Sequence, residues 1–193
     1  MARTQAADFE QKKEEIIDKA ARLFAARGFL GASIADIADA CKVSKSLIYH
    51  YYGSKEDILF AAMESHVAAL NQAADQAMAE ESRPDAQLRR LARGFMELYV
   101  GAAARHQVLL NDLAYLPDER RTVIIERQRR LIVMVERILA ALQPGLAARK
   151  GLLRSKTMLF FGMINWTNTW FRADGPIKPS EIADMACDMI LEP

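Results

Sequence analysis

The chain has 193 residues, of which 51% are hydrophobic and 26% charged, with a formal net charge of +1. That length allows one or two domains with a real core, and the near-neutral charge excludes binding to nucleic acid by bulk basicity, leaving only a locally basic surface. Few Gly and Pro residues, against abundant Ala, Leu, Met, Arg and Glu, favour helix throughout.

The first ten residues are polar and predict a flexible N-terminal arm over 1–10, with no signal peptide. A first helix is expected from about Gln11 to Arg27, because Ile16, Ile17, Ala20, Leu23 and Phe24 form one apolar stripe. Gly28 stands where a helix should stop. Ser33-Ile34-Ala35-Asp36 then reads as a capping box opening a second helix, with Ile34, Ile37 and Ala38 facing inward. Ser44 is a second N-cap, for a short helix to Tyr51. Gly53 breaks it, and Ser54-Lys55-Glu56-Asp57 is a further capping box for a long helix to about Glu80.

Beyond it, Ser82-Arg83-Pro84-Asp85 should cap a helix to about Ala104, and a shorter one should cover Gln107 to Leu116. Pro117 suits the first position of a helix ending near Leu142. Gln143-Pro144-Gly145 is a break, Ala147 to Phe171 a further helix, and Pro179 to Leu191 the last. No period-two strand pattern competes. The expected fold class is therefore all-α. Its expected division is a three-helix helix-turn-helix domain over 11–56 and an effector-binding and dimerisation domain over 57–193, joined within one long helix.

Two short helices joined by a tight turn, the second polar and aromatic, suggest a helix-turn-helix. Val43, Ile48 and Tyr52 can pack inward, leaving Lys45, Ser46, Tyr49 and His50 outward and Leu47 at the edge. Short donors and cations at the start of such a helix suit base edges in the major groove, with phosphate anchors around them. Tyr49 has the reach for a phosphate, and Ser54 and Lys55 lie where a helix N-terminus and a cation favour an anion.

The run Ala25-Ala26-Arg27-Gly28-Phe29, then Ser33 to Ala38, Val43-Ser44-Lys45, and Tyr49-His50-Tyr51-Tyr52-Gly53-Ser54-Lys55-Glu56-Asp57, resembles the DNA-binding domain of the TetR family of repressors. The likeness covers roughly 11–60. It implies contacts to DNA from Ser33, Lys45, Tyr49, His50 and Lys55, to which position on the recognition helix adds Ser44, Ser46 and Leu47. Two departures stand out. Lys42 occupies the turn position usually held by Gly, at a cost on the order of 1 kcal/mol if it is left-handed. Tyr51-Tyr52 replaces the common His-Phe.

The same resemblance implies double-stranded operator DNA as partner, and a homodimer through the last two helices. Leu152, Ser155, Leu159, Gly162, Met163 and Trp166 would form a seam, with Ile182, Met185, Cys187 and Met189 adding bulk. Candidates for an effector pocket are Phe95, Met96, Tyr99, Asn111, Met134, Asn165, Trp166, Asn168, Thr169 and Trp170, a mostly apolar set with a few polar groups. The stretch Asn165 to Pro176, with Ile182-Ala183-Asp184, is similar to the branch that senses acyl-coenzyme A thioesters. In that case Arg105, Arg129, Arg149 and Lys150 are candidates for the phosphates.

No phosphate loop, zinc spacing or nucleophile elbow occurs, so catalysis, a metal and a cofactor are not expected. Cys41 and Cys187 fit no ligand spacing and read as buried thiols, in keeping with a cytoplasmic home. The run Thr157 to Ile164 is too short for a membrane span. A helical protein–protein adaptor without operator binding is the alternative reading.

Overall fold

A computed structural model describes residues 2–192, with side chains from Asp8 onward. Its helices are α1 (Ala2–Gly31), α2 (Ile34–Cys41), α3 (Lys45–Tyr51), α4 (Lys55–Glu80), α5 (Pro84–Gly101), α6 (Ala103–Asn111), α7 (Asp118–Leu142), the single turn α8 (Pro144–Ala147), α9 (Lys150–Trp170) and α10 (Pro179–Leu191). No strand occurs among the described residues, as an all-α fold requires. None of the described helices is long and apolar enough to cross a membrane.

The chain forms two compact units. The first comprises 1–66 and 104–124, and its core is built on the α1 stripe of Ile16, Ile17, Ala20, Ala21 and Phe24. Gly28 bends α1 with φ 72 and ψ 160, a left-handed φ open to a residue without Cβ. Phe29 can then turn inward and pack on Phe24, with ring centroids 5.4 Å apart. Ile37, Ala38 and Ile48 close the helix-turn-helix, with 2% exposure or less.

The second unit comprises 67–103 and 125–193. The inner faces of α5 (Leu88, Leu91, Phe95), α7 (Val135, Leu139), α9 (Phe160, Ile164) and α10 (Ala183, Cys187) are buried in it. Ion pairs bind α5 to α10: Arg93 forks onto Asp184 at 2.9 and 2.8 Å, and Arg89 meets Asp188 at 2.5 Å and Asp184 at 3.9 Å.

Several expected boundaries move. The first helix begins at Ala2 rather than near Gln11, so residues 2–10 of the expected arm are helical, and Met1 lies outside the described residues. Arg83, not Ser82, is the cap of α5 and makes no side-chain capping bond; Pro84 at N1 opens the helix by its fixed φ. The expected helix to Ala104 breaks at Ala102 (φ −126, ψ 42), and α6 starts at once. The expected Gln107–Leu116 helix is α6 followed by a 3-10 turn, Leu113–Tyr115.

Candidate nucleic-acid interface

Local capping builds this surface. Ser33 Oγ accepts from the Asp36 amide at 3.2 Å, while the Asp36 carboxylate accepts from the Ser33 amide at 2.8 Å and its hydroxyl at 2.5 Å. Those bonds, with Arg27 at 3.1 Å, hold the Asp36 carboxyl below its ordinary range. After α2, Lys42 takes φ 55 and ψ 44, a left-handed conformation, and its amide bonds back to Ala38 and Asp39. Ser44 Oγ then accepts from the Leu47 amide at 3.2 Å, which starts α3.

Within α3, Ile48 is fully buried, and Tyr52 just beyond it is buried too. Burial pushes the Tyr52 phenol up to about 12. Positions four apart share a helix face. Lys45 and Tyr49 therefore form one exposed row, Ser46 and His50 another, and Leu47 is half-buried between scaffold and surface.

Four of the predicted residues, Ser33, Lys45, Tyr49 and Lys55, meet around one open hollow of about 670 Å³. Ser44, Ser46, Leu47 and His50 are not part of its lining. Lys55 differs from expectation. Its ammonium donates to the Phe29 carbonyl at 2.8 Å and the Ala32 carbonyl at 2.9 Å, and sits 4.1 Å above the Phe29 ring. It thus closes the chain after the Gly28 bend, with one of its three donors left for an anion. Leu30, 73% exposed on the rim of the hollow, was not anticipated. Its only signal in the sequence is a large apolar residue outside the α1 stripe, three before an N-cap.

His66 and His106, which the sequence leaves scattered, meet on α4 and α6 with Nε2 and Nδ1 3.2 Å apart. Burial lowers His66 to about 4 and His106 to about 3, so both are neutral at pH 7. Beside them Arg105 donates to Asp18 at 2.7 Å, Glu14 at 2.7 Å and the Ser65 hydroxyl at 2.8 Å. Arg105 is therefore a tie between α6, α1 and α4 rather than a free phosphate ligand.

The predicted pocket residues separate. Phe95, Met96 and Tyr99 are buried in the second unit, where the Thr167 hydroxyl lies 3.7 Å from Met96 Sδ. Burial also raises the Tyr99 phenol. Asn165 is half-buried, its Oδ1 enclosed without a hydrogen-bond partner among the described residues, and Asn168 is half-buried. Trp166 (67% exposed), Thr169, Trp170 and Asn111 are on the outside, and Asn111 belongs to the first unit. Met134 lies in an open groove of about 440 Å³ with Val133, Arg129, Arg130 and Arg137.

The predicted seam, by contrast, forms a surface. Leu152, Leu159 and Trp166 recur every seven residues on α9 and are 41%, 65% and 67% exposed. Exposed Ser155, Gly162 and Thr169 run beside them, while Met163 is half-buried. On α10, Met185 and Met189 are exposed; Ile182 and Cys187 turn into the core instead.

Two family profiles match this sequence. Bacterial regulatory proteins of the tetR family match residues 16–62, and the tetracyclin repressor-like C-terminal domain matches residues 81–193. A TetR-family transcriptional regulator from Bordetella parapertussis 12822 is similar in structure, with a TM-score of 0.90, 39% identity, and coverage of 93% of this chain and 94% of that one. AibR, solved in complex with isovaleryl coenzyme A and operator DNA, is similar at a TM-score of 0.79 and 28% identity, over 94% of this chain and 99% of that one. The curated regulator HbdR of Aromatoleum sp. (strain CIB) is 27% identical over 83% of this chain and 69% of its own length.

Proposed function

This chain belongs to the TetR family of helix-turn-helix transcriptional regulators, and on that premise we propose that it is a repressor released from a palindromic operator by a small effector. One observation carries this reading: Lys45, Ser46, Tyr49 and His50 stand outward on a helix anchored from behind by buried Ile48 and Tyr52. Lys45 and Ser46 are at the end that enters the major groove, and Ser44 and Tyr49 reach phosphates. Ser33 and the remaining donor of Lys55 flank them, and Leu47 supplies apolar contact at the edge. The DNA-binding domain on this reading is 11–56, with 57–193 serving the effector and the dimer.

The partner protomer covers the α9–α10 surface. Close approach is easy at Gly162, where an added Cβ would meet nothing within 4 Å, and a two-fold dimer matches half-sites about one helical turn apart. The effector is an acyl-coenzyme A thioester. The isovaleryl-coenzyme A complex of AibR supports this class. So does the open Met134 groove, where Val133 and Met134 stand beside Arg129 and Arg137, with Arg130 already paired to Asp75 and Glu126 the one carboxylate in the lining. The effector acts by favouring a pivoted α4, which changes the distance between recognition helices; it does so only by binding the two states unequally.

A mobility-shift titration with the duplex upstream of its own gene tests this reading. Expected are a specific complex, a log–log fall of affinity with salt, and release by isovaleryl-coenzyme A but not by free coenzyme A. No complex at any salt concentration would favour the adaptor reading. A complex indifferent to every acyl-coenzyme A would remove the effector class and leave operator binding standing.

A further inference from the structure

Helix α3 is seven residues long, too short to be stable without anchors. Ser44 pins its start and Ile48 its inner face. Its far end is held by α1. The Phe9 ring lies 4.8 Å from that of Tyr51, tilted by 34°, and 6.3 Å from that of His50, edge to face at 89°. Lys13 Nζ sits 5.7 Å over Phe9 and 5.9 Å over the Tyr52 ring. The Tyr52 hydroxyl donates to the Lys13 carbonyl at 3.4 Å.

Phe9 is 36% exposed, so the core does not account for an aromatic residue there. What it touches is the pair His50 and Tyr51 at the end of the recognition helix. Edge-to-face and offset contacts between rings are orientation-dependent, so the Phe9 ring favours the orientation of the His50 imidazole that meets it edge to face. Holding such a side chain before binding saves entropy that an unrestrained one loses on binding.

We propose that Phe9 is a positioning residue for sequence reading: through direct ring contact and through Tyr51 it aims His50, one turn beyond Ser46 on the same exposed row of α3, at one base step of the operator. This rests on the operator-binding reading above. Phe9 itself needs no contact with DNA. Replacing it should therefore blur discrimination at the step His50 reads and leave phosphate-driven affinity alone.

Selection of duplexes from a randomised pool, with the full-length wild type and the variants Phe9→Ala, Phe9→Tyr and His50→Ala, tests this directly. The wild type should enrich a palindrome, and His50→Ala identifies the step that His50 reads by losing preference there. Phe9→Ala should lose preference at that same step by about tenfold, keep it elsewhere, and keep wild-type affinity for an unrelated duplex. Phe9→Tyr, which preserves the ring, should restore it. The proposal is overturned if Phe9→Ala keeps full preference at the His50 step, or loses preference evenly along the half-site. Should Phe9→Ala not fold, Phe9→Leu replaces it with the same expectations. If the wild type enriches nothing, operator reading itself fails, and this inference falls with it by a different and visible route.

Discussion

Lys42 holds φ 55 and ψ 44 in the turn before the recognition helix. Its Cβ crowds the neighbouring carbonyl there, a cost that Gly does not have. Lys42→Gly should therefore stabilise the protein by about 1 kcal/mol, raising the melting temperature by about 2–4 °C. An unchanged or lower value in a thermal melt would mean that Lys42 makes a compensating contact. The His66–His106 pair makes a second prediction at this scale. Both imidazoles are held neutral in the fold, at about 4 and about 3, whereas in the unfolded chain they protonate near 6.5. The unfolded state thus binds more protons below that value, and stability present at pH 7 is lost as pH falls. The slope is up to about 1.4 kcal/mol per pH unit for each ring. Urea unfolding between pH 7 and pH 5 should show a loss on the order of 2–4 kcal/mol, and a flat profile would contradict the burial of the pair.

At the scale of elements, what was legible in the sequence is what short-range chemistry decides. Ser33 with Asp36, Ser44, and Ser54 with Asp57 each act within one turn, so α2, α3 and α4 begin where those caps stand. The break at Ala102 follows Gly101, a poor helix former of the kind that often ends a helix, while the three alanines after it favour helix. The glycine is the one local signal of the break, and the alanines mask it. On α9 the periodicity is readable, but it suits Trp166 to a seam and to a pocket alike. One helix face cannot serve both, and the structure puts Trp166 with Leu152 and Leu159 on the exposed side. The Arg105 tie and the His66–His106 contact join residues about 40 or more apart in sequence, a distance over which spacing carries no signal. If the α9 seam is the dimer surface, Leu159→Asp leaves a charge against the partner's apolar side. Light scattering after size exclusion should then report a monomer with unchanged helicity, and a dimer that persists would move the interface elsewhere.

At the scale of the whole molecule, the proposed repressor combines a local reading surface, a seam for a second copy and an effector that biases one long helix. With 26 Lys and Arg set against 25 Asp and Glu, binding to DNA needs cations gathered on one face, and on the proposed reading the dimer seam brings two such faces together. A monomer meets one half-site and loses the second set of phosphate contacts. Leu159→Asp should therefore also weaken operator affinity, although it is remote from α3 in the sequence.

On the proposed reading, the outer row of α3 reads operator DNA. Fluorescence anisotropy with a labelled duplex from upstream of the gene, comparing wild type with the double variant Lys45→Ala/Tyr49→Ala, measures it. Both side chains are exposed, so circular dichroism and dimer mass should not change. Affinity is predicted to fall by about thirtyfold or more, equivalent to roughly 2 kcal/mol. A correctly folded double variant that binds the duplex as tightly as the wild type would show that this row does not read DNA.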